Sequence, residues 1–184
     1  MSVLQALPSN INYLSPIGFR FQITKFPEVN YFCQSANIPG ISIGQIDLPT
    51  PTSTGYLAGD EVAFEELTIS FVIDENMKNW LSIYDWIISL GVPTLSDREK
   101  LIKRQNEGTE RTSAVLTVLT SNMNAQINFF FNEVWPLNLS SIDFNTTGTD
   151  VDYVTATVSF RYDTYRVENL LNNESSYEGT RQQN

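Results

Sequence analysis

The stretch Gly59 to Gly91, GDEVAFEELTISFVIDENMKNWLSIYDWIISLG, constrains the fold more than any other part of the chain. It opens in a turn, passes through a strand and closes in a helix. Leu67, Ile69, Phe71 and Ile73 alternate with Thr68, Ser70 and Val72, a period of two with one strongly apolar face. Phe64 has the opposite parity, so a bulge or register change is expected at Glu65–Glu66. Helical spacing then takes over. Met77, Trp80, Leu81, Tyr84, Ile87 and Ile88 make a wide apolar face. Asp74 is the expected N-cap, and Glu75 suits the positive end of the helix dipole. Gly91 stops the helix and Pro93 prevents its resumption. The other strands should form a sheet that this helix covers, with Trp80 in the core.

Upstream, Gly18 to Lys25 alternates cleanly, with Phe19, Phe21 and Ile23 on one face. Pro27 closes it, Glu28-Val29-Asn30 reads as a connection, and Tyr31 to Ala36 should return antiparallel. Ile41 to Leu48 is a further strand. The segment PTPTSTGYLAG, residues 49–59, has prolines, glycines and no charge, so it is neither helix nor central strand. Between the strands at 41–48 and 62–73 it reads as the tip of a long projecting hairpin. Tyr56 and Leu57 on an uncharged tip suit a contact surface. Downstream, 113–120 and 126–134 form a hairpin apolar on both faces. Trp135-Pro136 breaks the pattern, and 138–144 is a short strand. The last long strand, 151–165, turns Val154, Ala156, Val158, Phe160 and Tyr162 one way. Ser96 with Glu99 is a capping-box pattern for a short helix over 97–105. The expected fold is mainly β, two sheets as a sandwich or barrel-like unit with one flanking helix. One domain spans 1–165, with an arm at 1–15 and a polar tail at 166–184 whose end should be disordered.

Function classes narrow by absence. The chain has no histidine and one cysteine, Cys33. That excludes Ser-His-Asp and Cys-His catalysis, His-containing zinc sites and Cys-rich metal sites. Glu65-Glu66 and Asp60-Glu61 are sequence neighbours, and neighbours on a strand point to opposite faces, so neither pair converges on a substrate. With no phosphate-binding or calcium-binding loop, no enzyme, cofactor or metal is expected. No apolar run reaches the roughly 18 residues of a membrane helix, and the N-terminus lacks a signal-peptide pattern. The net charge of -10, from 21 acidic and 11 basic residues, should repel a nucleic-acid backbone. Basic residues concentrate in one segment, at Arg98, Lys100, Lys103, Arg104 and Arg111. That segment reads either as a solvated face or as a patch pairing with acidic surface on another copy.

Four features in order resemble the tail tube proteins of contractile-tailed, T4-like bacteriophages, over residues 15 to 165. They are GFRFQI followed by YFCQSANIPGI, the central GDEVAFEELTISFVIDE, the aromatic helix NWLSIYDWI, and VWPLNL followed by VTATVSFRYDTY. The resemblance implies homo-hexameric rings whose subunits close one large β-barrel around a channel. It also implies that rings stack into a tube inside a contractile sheath, through which DNA passes without specific binding. The implied partners are further copies, the sheath protein, baseplate or neck proteins and a tape measure protein. The implied location is the virion, after assembly in the host cytoplasm. On this reading Tyr56 and Leu57 contact the next ring, Glu65 and Glu66 are lumen acids, and Arg98, Lys100, Lys103 and Arg104 bridge subunits. The polar tail and the charged segment depart from the family pattern and bear on position within the tail. The main tube is the first reading; an initiator at the baseplate or a terminator near the neck, of the same fold, is the second. A receptor- or carbohydrate-binding β module and a carboxylate hydrolase stay open as other classes.

Overall fold

The computed structural model describes residues 13–49, 51–91, 111–144, 153–170 and 174–176. The elements in chain order are β1 (Phe19–Ile23), α1 (Pro27–Tyr31), β2 (Cys33–Ala36), β3 (Ile41–Pro49), β4 (Thr54–Phe64), β5 (Leu67–Val72) and α2 (Lys78–Leu90). They continue with β6 (Thr112–Leu119), β7 (Ala125–Leu139), β8 (Thr155–Arg161), β9 (Thr164–Asn169) and β10 (Glu174–Ser176). The expected arm lies largely outside the described residues, as do the helix at 97–105 and the last eight residues of the tail. The fold is mainly β with two layered sheets, as expected.

β7 is the strand that both sheets share. Its N-terminal half pairs with β6 on one side and β9 on the other, and β1 and β10 extend this first sheet. Its C-terminal half pairs with β8, which continues to β5 and β2 in the second sheet. The change of layer falls at Glu133. There two residues of β6 span three of β7, from Thr112↔Val134 to Ala114↔Phe131, which marks a bulge. Glu133 takes a left-handed φ of 56°. The neighbouring chain bends in step: β8 ends at Arg161, opposite Trp135, and β9 begins at Thr164, opposite Asn132. Arg111 reaches both corners, 3.7 Å from Glu133 and 3.5 Å from Asp163. Trp135-Pro136 therefore does not end a strand, because a bulge absorbs the proline between Pro136 and Asn138. For the same reason the expected strand 151–165 is two strands in two sheets. The expected domain boundary at 165 falls inside β9.

Both layers turn their apolar faces to one core. Phe21, Ile23, Leu116 and Phe131 from the first sheet meet Leu67, Ile69, Phe71, Val158 and Phe160 from the second. β1 pairs with β6, and β2 pairs with β5. The antiparallel return of β2 onto β1 does not occur. The connection between them is α1, not a loop. Its Asn30 accepts the Ile23 N–H at 2.7 Å and donates to the Ile23 carbonyl at 3.4 Å, closing the end of β1. Val29 is buried in the core.

α2 covers the core with only part of the expected face: Trp80 and Ile87 pack against it as expected, but the most buried row is a different one. Asn79, Ile83 and Trp86 are buried, whereas Leu81, Tyr84 and Ile88 are exposed. Asn79 explains the rotation. Its amide donates to the Val72 carbonyl at 2.8 Å, and its Oδ1 accepts the N–H of Trp80 at 2.8 Å and of Asp74 at 3.4 Å. A fully buried amide is tolerated only when its groups are paired, and here it locks the helix start to the end of β5. Asp74 is not the N-cap. Met77 holds that position with φ 55°, while the Asp74 carboxylate accepts the Asn79 N–H at 3.1 Å from outside the helix.

Two substitutions test this packing. Trp86→Ala should lower unfolding free energy by about 3–5 kcal/mol, as for a buried aromatic, and Trp80→Ala by clearly less. Asn79→Ala should cost about 2–4 kcal/mol, because the Val72 carbonyl and the helix-start N–H groups lose their partner. Denaturant melts of the three variants check both.

Candidate functional site

β3 and β4 form a two-stranded ribbon that pairs with no other strand among the described residues. All of β3 is exposed, and β4 is exposed except at Gly55, Gly59 and Phe64. The register runs from Ile41↔Phe64 and Ile43↔Val62 at the base to Ile46↔Leu57 and Asp47↔Tyr56 further out. A register shift between Ile43 and Gln45 brings Gly44 against Gly59. A Cβ on Gly59 would lie 2.7 Å from the Gly44 carbonyl oxygen, so no larger residue fits there without movement. Ile41, Ile43, Ile46, Leu48, Tyr56, Leu57 and Val62 are between 44% and 65% exposed. An isolated two-stranded ribbon is marginal in water, and a run of exposed aliphatics this dense marks a surface that another molecule covers.

The expected contact residues sit on this ribbon. Tyr56 and Leu57 are on strand β4, not in the tip loop, because the strand begins at Thr54. Glu65 and Glu66 mark where the chain leaves the ribbon and enters the second sheet, a complete change of sheet and not a bulge within one strand. The Glu66 carboxylate lies 3.3 Å from Arg161. Arg98, Lys100, Lys103 and Arg104 lie outside the described residues. A second apolar surface escaped the sequence reading: Leu81, Tyr84 and Ile88 face outward on α2, with Trp80 stacked on Tyr84 at 5.4 Å and 12°. Helical periodicity marks this face as apolar, but not that the core takes only its Trp80 and Ile87 edge.

Beneath the ribbon lies an aromatic cluster. The ring of Phe64 contacts Tyr162 and Tyr165, and both tyrosines contact Phe131. Burial pushes the Tyr162 hydroxyl well above the usual phenol range, with the neighbouring Tyr165 adding to the shift. Tyr165 is raised in the same direction by burial. Burial also pushes the Cys33 thiol up to about 11 from 9.0, against a hydrogen bond to Ser35 that lowers it.

Residues 3–168 match the family described as phage tail tube protein. The chain belongs to that family. It is similar to the tail tube terminator protein of Enterobacteria phage T4, 29% identical over 171 residues, covering 89% of this chain and 94% of that protein. In fold it resembles the tube-terminating cap of the anti-feeding prophage, with TM-score 0.64, 15% identity and coverage of 92% and 99% of the two chains. It also resembles the sheath/tube terminator chain of the PVC extracellular contractile injection system, with TM-score 0.60, 15% identity and coverage of 86% and 99%. At those identities the likeness is one of fold. The protein is a structural component of a phage tail, and not an enzyme.

The shifted groups predict the alkaline limit of this tail tube family member. Each keeps its proton longer in the folded than in the unfolded chain, so folding is favoured below the unfolded pKa and loses stability as pH rises through the folded one. The Cys33 contribution is full below about pH 9 and lost by about pH 11. The Tyr162 contribution declines from about pH 10 upward. Melting temperature should therefore fall across this range. Cys33→Ser should flatten the first part of the fall, and Tyr162→Phe the second.

Proposed function

We propose that this chain is a tube-end protein, a ring of six copies that closes the tail tube near the neck, inside the sheath, with the genome passing through it. The observation that carries this is the similarity to the T4 tail tube terminator, which runs over nearly the whole of both chains. The main-tube role expected first ranks second, because that relative is named for the end of the tube.

Ring closure has a structural basis on this reading. The second sheet ends in β2 on one side and in the C-terminal half of β7 on the other, and neither edge is paired further among the described residues. Edge-to-edge pairing between copies removes both exposed edges. The outward face of that sheet carries Thr68, Ser70, Thr155, Thr157 and Ser159 with one aliphatic, Val72, and its Arg161 is paired with Glu66. A wetted, uncharged hydroxyl surface is proposed as the channel wall, with Glu65 and Glu66 at its rim and not spread along it. Such a wall offers DNA one cation, already paired, and little apolar surface to adhere to, while the net charge of -10 repels it at longer range. The ribbon contacts the next ring. It holds Asp47, Asp60 and Glu61 but no Lys or Arg, which complements the basic segment of Arg98, Lys100, Lys103 and Arg104 on another copy.

Growing tubes of the cognate tube protein provide the test. Substoichiometric addition of this chain should stop elongation and leave one extra ring at one tube end in electron micrographs, and cross-linking should give six chain masses. Long tubes formed by this chain alone would instead favour the main-tube role. The Tyr56→Asp/Leu57→Asp variant should melt like the parent and fail to bind tube ends. Undiminished binding would remove the ribbon from the contact.

A further inference from the structure

We infer that Arg161, Tyr162 and Tyr165, with Asn37, are positioning residues that hold the ribbon at one fixed angle to the sandwich. The functional consequence of that angle rests on reading the ribbon as the contact between rings.

The chain crosses from body to ribbon twice, at Pro39–Gly40 and at Phe64–Glu66. A hinge of this kind ordinarily leaves its carbonyls to water and swings. Here three consecutive carbonyls are each taken by a different side chain of the body. Arg161 donates to the Phe64 carbonyl at 3.3 Å, Tyr162 to that of Glu65 at 2.8 Å, and Asn37 to that of Glu66 at 3.0 Å. On the other crossing Tyr165 donates to the Pro39 carbonyl at 3.3 Å. The two crossings are tied to each other by the Glu65 N–H on the Gly40 carbonyl at 3.0 Å. Asn37 also accepts the Thr68 N–H at 2.7 Å, so one amide spans the junction of ribbon and β5.

Three of the four donors come from residues 161–165, the corner where the chain passes from β8 to β9. That corner follows the bend of β7 and is joined to it through Arg111. The ribbon's direction is thus referred to the most constrained point of the sandwich. The phenol of Tyr162 stays protonated throughout the neutral range, so its role as a donor does not vary with pH there. A rigid contact element binds with less ordering entropy than a swinging one. This explains why a hinge that could have been left to solvent is instead saturated with side-chain donors.

The test measures angle and assembly separately. In the full-length Cys33→Ser background, spin labels at Thr52→Cys on the ribbon and Ser121→Cys on the body should give one narrow distance distribution. Tyr162→Phe/Tyr165→Phe removes two hydroxyls while keeping both rings. It should broaden that distribution about twofold with an unchanged far-ultraviolet spectrum, and weaken tube-end binding about tenfold. Arg161→Met, at an exposed side chain, carries the same test if the double variant does not fold. A distribution as narrow as the parent's in a folded variant overturns the inference, whatever binding does. A broadened distribution with unchanged binding upholds the clamp but rejects the ribbon as the contact between rings. Loss of binding in Tyr56→Asp/Leu57→Asp with a narrow distribution upholds both.

Discussion

The bend of β7 at Glu133 is the constraint on which the remaining structure depends. One strand of fifteen residues serves two sheets, so the layers cannot slide or rotate independently. The passage from one layer to the other is made at a bulge and a left-handed residue. A left-handed conformation at a non-glycine residue costs roughly 1–2 kcal/mol, which the exposed contacts of Arg111 offset only in part. The rest comes from the core on either side of the corner, where Phe131, Val134, Phe160 and Tyr162 are all buried. From that corner the consequences run outward. β8 and β9 bend to match, their corner presents Arg161 and Tyr162, and these two residues grip the base of the ribbon.

The surfaces left over have distinct chemistry. The ribbon is apolar and lightly acidic, the outer stripe of α2 is apolar and aromatic, and the outward face of the second sheet is hydroxyl-bearing and neutral. Surfaces of the first two kinds lose free energy by remaining in water. The third loses little, since short hydroxyls are well hydrated. On the proposed tube-end reading this division has a purpose, because a ring of that kind would adhere to its neighbours and leave its channel clear.

Local pattern reached much of this from the sequence. The alternation of Leu67, Ile69 and Phe71 is the buried face of β5, and that of Ala156, Val158, Phe160 and Tyr162 is the buried face of β8 and its corner. Residues 41–64 do project as a hairpin. Three features were out of reach for a physical reason. Partner choice between strands depends on contacts far apart in sequence, so the pairings β1 with β6 and β2 with β5 leave no local mark. A strand that changes sheets keeps its alternation, so β8–β9 read as one strand, while Pro136 looked like a break because proline is usually one. The core stripe of α2 is legible only in part: Trp80 and Ile87 pack on the core as their spacing suggests, but the most buried row contains Asn79, and a polar residue is discounted from a buried face unless its hydrogen-bond partners are known. Of the candidate site, Tyr56 and Leu57 were legible as uncharged exposed residues, whereas the donors at the ribbon base come from another part of the chain.

Because β7 belongs to both sheets, the two layers also share one mechanical path. A pull on the ribbon passes along the backbone into β2 and β5, is shared by Arg161, Tyr162 and Tyr165 with β8 and β9, and reaches β7 from both. Load applied to the ribbon is therefore borne by both sheets together, and neither layer can be drawn away without straining the other through β7.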